Sequence, residues 1–234
     1  MKKLNILILL SVFTSTSLII PKAETTVLDN IPYKNGDSDS TKKTKEVFIK
    51  INHNFNFAYK AFRYYNPEID TQTVMQFIKV CEFYNFDTTQ TIFRMLVGQI
   101  LIESGSKHYK NGNVNIGGGG HIGIAQISPK SGLAIMTKLV TNNDIEVFKC
   151  LTDDTTLIKP ITYSQSINWL SNKNNNLTFW GYMMNKNMKS GLVENALVKY
   201  NAGLGGYQNY VNSGNKVSNH HYITGIKNKL AKIN

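Results

Sequence analysis

One stretch constrains this chain more than any other. From about Thr88 to Glu103, apolar residues recur at helical spacing, and the stripe they form ends in an acid. Ile92, Phe93, Leu96, Val97 and Ile100 define the face. Glu103 follows Ile100 by three residues and Leu96 by seven, so it lies on the same face in the last turn. Ser104-Gly105 then ends the helix. At its start, Asp87 with Gln90 three residues on resembles a capping box. A carboxylate on an apolar helix face cannot ionise cheaply. It is either paired or held protonated and able to give its proton away.

The rest of the chain reads as helices around this one. Val47 to Tyr65 has near-helical apolar spacing and stops at Pro67. Asp70 caps a helix through Tyr84 whose inner face is Val74, Phe77, Ile78, Cys81 and Tyr84. Lys107 to Gly120 is a loop, and its four consecutive glycines, Gly117 to Gly120, are too flexible for the interior of an element. Ile122 to Ile127 is a short apolar run closed by Pro129. Weaker patterns surround Leu133–Val140 and Ser166–Leu170. Leu177–Met188 is a helix. Leu192–Asn201 is another, with Ala196, Leu197 and Tyr200 on one side, a stop near Gly203 and a second break at Gly205-Gly206. His221–Ile233 closes the series with Tyr222, Ile226, Leu230 and Ile233 inward. Strand signals are thin, so the expected class is mainly α. Trp169 and Trp180 are assigned to the core.

The 234 residues divide by composition. Residues 1–23 have a basic start and an apolar stretch ending in Pro21-Lys22-Ala23, which reads as a secretory signal; an uncleaved anchor is the alternative. Residues 24–46, rich in Thr, Asp, Asn and Lys, form a flexible linker. Residues 47–70 are an N-terminal helical extension and 71–234 the main domain. No stretch after the leader is suited to cross a membrane, so no stable membrane insertion is expected once it is removed.

The formal charge is +11, and Lys2, Lys3 and Lys22 leave with the leader, so residues 24–234 carry +8. A basic balance suits an acidic polymer such as a wall glycan with acidic stem peptides, nucleic acid, or an anionic membrane face. The lysines are scattered and do not form a stripe interleaved with aromatics, which together with secretion argues against nucleic acid. Cys81 and Cys150 either form one disulfide or remain as two buried thiols. His220 and His221, as helix neighbours, would point apart, and no metal or other cofactor is expected.

Three blocks carry a resemblance. Glu103-Ser104, then Gly120-His121-Ile122-Gly123-Ile124-Ala125-Gln126, then Ala196-Leu197-Val198-Lys199-Tyr200-Asn201-Ala202-Gly203 stand in the order of the soluble lytic transglycosylase family. That family's segments read Glu-Ser, Gly-Ala-x-Gly-Leu-Met-Gln and Ala-x-x-x-Tyr-Asn-Ala-Gly. The resemblance spans roughly Thr71 to Ile233 and implies a lysozyme-like helical domain with the Gly-rich loop beside an active-site cleft. It implies cleavage of the β-1,4 bond between N-acetylmuramic acid and N-acetylglucosamine in peptidoglycan, without hydrolysis, giving 1,6-anhydro ends. Glu103 is the implied catalytic acid and then base. Gln126, Tyr200, Asn201, Ser104 and Tyr222 are the implied substrate-binding set. Gln126 either bonds sugar groups or braces its loop. Tyr200 either directs its hydroxyl at Glu103 or the substrate's acetamido group, or is a core tyrosine. Asn201 and Ser104 favour structural duty, and Tyr222 either closes the cleft or is a core aromatic.

The chain departs from the family's pattern at several places. Gly117 stands where the family usually has Ser, the Glu103–Gly120 loop is longer, His121 replaces a small residue, and Ser218 replaces an acid. Asp144, Glu146, Asp153, Asp154 and Glu194 have no assigned role and read as surface acids. The expected location is periplasmic or secreted, and the expected partner is the glycan strand. An envelope-spanning secretion, pilus or conjugation apparatus is the expected setting. The alternatives are a lysozyme-like hydrolase using the same acid, and a non-catalytic wall-binding component.

Overall fold

A computed structural model of the chain describes residues 53–141, 162–189 and 192–233, the side chains of 138–141 excepted. The chain divides into two units, Met1–Thr44 and Lys45–Asn234, and every described residue lies in the second. The expected leader, the linker and residues 47–52 of the first expected helix fall outside the described residues. So do Cys150, Asp144, Glu146, Asp153 and Asp154.

The unit is mainly helical. Helix α1 covers residues 53–65 among those described, followed by α2 (Thr71–Phe83), α3 (Gln90–Ser104), α4 (Pro129–Thr141), α5 (Tyr163–Leu170), α6 (Lys173–Met188), α7 (Val193–Asn212) and α8 (His221–Ala231). Between α3 and α4 a two-residue strand β1 (Tyr109–Lys110) pairs antiparallel with β2 (Asn113–Val114), a hairpin the sequence reading did not anticipate. Among the described residues no helix is long and apolar enough to cross a membrane.

Capping chemistry sets several boundaries. The Asp70 side chain accepts the Thr73 N–H at 2.6 Å and begins α2. The expected Asp87–Gln90 capping box is not formed. Thr89 caps α3 by accepting the Ile92 N–H, and the Gln90 amide donates to Asn54 on α1 instead. Pro129 opens α4 at its first position, where a missing N–H costs nothing, and so starts that helix. Helix α7 does not end near Gly203. One residue leaves helical geometry there (φ 71°, ψ 171°), and the helix resumes to Asn212 across Gly205 and Gly206.

The core joins all the helices. Ala58, Ala61 and Phe62 of α1, Phe77 of α2, Phe93 and Leu96 of α3, and Trp180 of α6 are fully buried together. Phe77 is its hub, with ring centroids 5.2 Å from Phe62 and 5.2 Å from Trp180. Trp169 is buried as well, as its assignment to the core requires. Cys81 is a free thiol buried in α2.

The pairing that positions the site is α3 on α8. The two helices meet where each presents a glycine. A Cβ on Gly98 would lie 2.7 Å from Ile226, and one on Gly225 would lie 2.3 Å from Ile102. Backbones this close bring Tyr222, at the start of α8, against Glu103, at the end of α3.

Candidate active site

Glu103 occupies the last turn of α3, which Gly105 ends in the left-handed conformation (φ 62°) with its N–H returned to Leu101. Its Oε1 accepts a short hydrogen bond from the Tyr222 hydroxyl. Burial is the dominant influence on the carboxyl and pushes its pKa up to about 7, against the opposing pull of the Tyr222 donor. Near neutral pH a large fraction of Glu103 therefore carries a proton. With Tyr222 donating to Oε1, Oε2 is the oxygen left to hold it.

The tyrosine is itself held. Tyr222 is almost fully buried, and burial followed by the nearby Glu103 charge raises its pKa well above the ordinary value. The phenol thus stays a donor. Behind it lies Gln99, one turn before Glu103 on α3 and fully buried. The Trp180 Nε1–H donates to Gln99 Oε1 at 3.0 Å, which turns the Gln99 amide nitrogen towards the Tyr222 oxygen. Trp180 thus bonds Gln99 and Tyr222 bonds Glu103, while the buried Gln99 amide nitrogen between them makes no hydrogen bond. The sequence reading did not single out Gln99, although it sits four residues before Glu103 on the buried side.

The second expected block forms a tight four-residue loop. Ile122 and Ile127 exchange both backbone hydrogen bonds, at 2.9 and 3.0 Å, and close residues 123–126 into a turn. Every N–H within the turn is accounted for. Gly123 donates to the Asn115 carbonyl at 2.8 Å, Ile124 to His108 Nδ1 at 3.2 Å, Ala125 to Asn176 Oδ1 at 3.0 Å and Gln126 to the Gly123 carbonyl at 3.2 Å. The Gly123, Ile124 and Ala125 carbonyls are met as well. Ser104 Oγ donates to Ile124 at 2.6 Å, and the Tyr200 hydroxyl donates to Ala125 at 2.7 Å. Asn176 Nδ2 also ties down the Ile122 carbonyl at 2.9 Å.

These contacts redistribute the expected roles. Ser104 and Tyr200 hold the loop backbone, so their hydroxyls are engaged by protein. Tyr200 does not direct its hydroxyl at Glu103, although the Glu103 charge adds to burial in raising its pKa. The Gln126 amide braces its own turn through Gly123 at 2.7 Å while its side chain lines the recess beside Glu103. Asn201 is solvent-exposed and does not line that recess. His220 and His221 do not point apart. His220 is the cap of α8, accepting the Tyr222 N–H on Nδ1, and its ring centroid is 4.3 Å from that of His221.

His108 and Asn176 escaped the sequence reading. Both are buried polar residues, and both reach the loop from distant segments. His108 also donates from Nε2 to the Ser171 carbonyl at 2.8 Å. The usable signal was a lone histidine followed by the Gly-rich run, and it is a weak one.

Glu103, Ser104 and Gln126 line one recess of about 450 Å³, together with Tyr65, Lys107, Lys110, Asn115, Gly117 and Lys229. Among the described residues Glu103 is its only carboxylate. Of the four glycines before His121, Gly118–Gly120 form a short 3₁₀ turn with Gly119 at φ 73°, although the run was expected to lie outside any element. Gly117 stands against Gln126: a Cβ there would lie 1.9 Å from Oε1. The Gln126 side chain therefore occupies the volume that the Ser of the resembled pattern would use. Among the described residues no three His, Cys, Asp or Glu side chains gather as a metal site.

No family model, curated protein or solved structure matches this chain.

Proposed function

We propose that this protein is a glycoside-cleaving enzyme of the lytic transglycosylase kind, acting on the β-1,4 bond between N-acetylmuramic acid and N-acetylglucosamine. The observation that carries the reading is Glu103: a carboxyl held protonated near neutrality by burial, fixed by Tyr222, at the wall of a recess. The order of the three sequence blocks supports it, since Ser104, the 123–126 turn and Tyr200 meet through hydrogen bonds around that acid.

In this reading the fold is lysozyme-like. Oε2 of Glu103 delivers its proton to the glycosidic oxygen as the bond to the anomeric carbon breaks. The carboxylate left behind takes the proton of the muramoyl 6-hydroxyl, whose oxygen closes the 1,6-anhydro ring on the anomeric carbon. Protons balance and Glu103 returns to its starting state. A single carboxylate suffices because the nucleophile belongs to the substrate, and among the described residues Glu103 is the single carboxylate lining the recess. The chain works in the periplasm or outside the cell, on glycan strands, where it opens the wall locally for a secretion, pilus or conjugation apparatus.

The test is mass spectrometry of muropeptides released from purified peptidoglycan by the wild type and by Glu103→Gln. Products lighter by one water than hydrolysed ones, absent with the variant, are expected. Reducing ends would establish a hydrolase. No release by either protein would point to a wall-binding component.

A further inference from the structure

The recess beside Glu103 is unusual in charge. Its lining holds one carboxylate, kept protonated near neutral pH, and three lysines: Lys107, Lys110 and Lys229. Lys107 and Lys110 make no ion pair among the described residues, and the ion pairs Lys173–Asp70 and Lys227–Glu194 lie elsewhere. Lys229 is held from two sides. Its Nζ lies 4.3 Å from the Tyr65 ring centroid, and the Tyr65 hydroxyl donates to the Lys229 carbonyl at 3.0 Å. This clamp joins α1 to α8 and sets one ammonium at the wall of the recess.

Burial dominates the Glu103 carboxyl, with the Tyr222 hydrogen bond opposing it. The three lysines line the same recess as that carboxyl.

We propose that Lys107, Lys110 and Lys229 form a carboxylate-binding wall, and that the ligand of this recess is a glycan whose sugar beside the scissile bond carries an anionic substituent. The inference rests on the glycoside-cleaving reading and adds the residues that would recognise the charged substituent of its substrate. Two sources supply such a carboxylate on a muramoyl residue: the lactyl ether itself once its peptide is removed, and the acidic residues of an attached stem peptide. A neutral β-1,4 glycan of N-acetylglucosamine supplies neither.

Binding to Glu103→Gln, measured by calorimetry at low salt, separates these cases. The probes are glycan strands with intact stems, strands with stems removed by an amidase, stem-bearing strands with carboxyls converted to amides, and a neutral chitooligosaccharide. The expected result is affinity for carboxylate-bearing strands about fivefold or more above that for amidated strands, on the scale of two or three partly exposed ion pairs. Added salt should erase the difference. Lys107→Gln/Lys110→Gln should also erase it, with affinity for amidated strands unchanged and thermal stability intact, because both residues are exposed. A preference confined to strands with stems assigns the wall to stem carboxylates, and one that survives stem removal assigns it to the lactyl group. Equal affinity for charged and amidated strands overturns the inference while leaving the glycan reading intact. No binding to any glycan by a folded Glu103→Gln protein overturns both.

Discussion

The hydroxyl of Tyr222 donates to Oε1 of Glu103, joining the start of α8 to the end of α3. The bond opposes burial. Burial favours the neutral carboxyl, and the phenolic donor favours the ionised one. Removing the donor and removing the acid must therefore shift pH dependence in different ways.

With Glu103 as the acid, kcat/KM falls as pH rises through about 7. Glu103→Gln should lower turnover by about 10²–10⁴-fold. The same substitution should strengthen the fold at alkaline pH. A carboxyl whose pKa rises on folding carries no penalty below its ordinary value of 4.5, and the full penalty only above about 7. Denaturation near pH 8 should find the variant more stable by about 3 kcal/mol, and near pH 4 equal to the wild type. Equal stability at both would mean the carboxyl is not desolvated.

Tyr222→Phe keeps the buried ring and deletes the donor. Because that donor stabilises the ionised form, its loss sends the Glu103 pKa upward, and the alkaline limb of kcat/KM should move to higher pH as the maximum rate falls. An unchanged or lowered limb would show that the phenol does not act on the acid.

Gly123 has φ 76°, and a Cβ there would lie 2.6 Å from Asn176 Nδ2 and 2.7 Å from His108 Cε1. Both neighbours are already committed to the turn. Gly123→Ala should cost about 1–3 kcal/mol of stability and displace the 123–126 loop. The melting temperature and the Ala125 amide chemical shift report the two effects, and a neutral substitution would disprove the crowding.

His108 should limit the fold on the acid side. Nδ1 accepts the Ile124 N–H, so Nε2 carries the proton given to Ser171, and the imidazolium cannot accept. Burial depresses its pKa first and the Lys173 charge adds to this, against the Ser171 hydrogen bond. A histidine depressed on folding supports the fold above its ordinary value of 6.5 and loses that support as pH falls towards the folded midpoint. Denaturation of Glu103→Gln over a pH series should show this loss, and adding His108→Leu should flatten it. An undiminished slope would exonerate His108.

The sequence carried the helices and the acid because both are written in local periodicity. The run from Ile92 to Ile100 fixes a buried face, and Glu103 continues it. The partners of that acid were less legible. Tyr222 was open between two readings because a tyrosine on an inward face looks the same in either. Gln99, His108 and Asn176 were missed because a buried polar side chain is defined by what it meets across the fold, and one chain's spacing holds no trace of that. The cap of α3 went to Thr89 because the hydroxyl nearer the helix start reached the free Ile92 N–H. The β1–β2 hairpin was invisible because two-residue strands have no period to read.

The contacts that make the recess span long stretches of chain: 119 residues between Glu103 and Tyr222, and 164 between Tyr65 and Lys229. Closing such loops costs entropy that local helices never meet, so the helices should form ahead of these contacts. In a partly folded chain with α8 undocked, Glu103 faces water and ionises like any surface glutamate. Mild destabilisation should thus return Glu103 to an ordinary carboxylate before it melts the helices, so the raised pKa belongs only to molecules whose folding is complete.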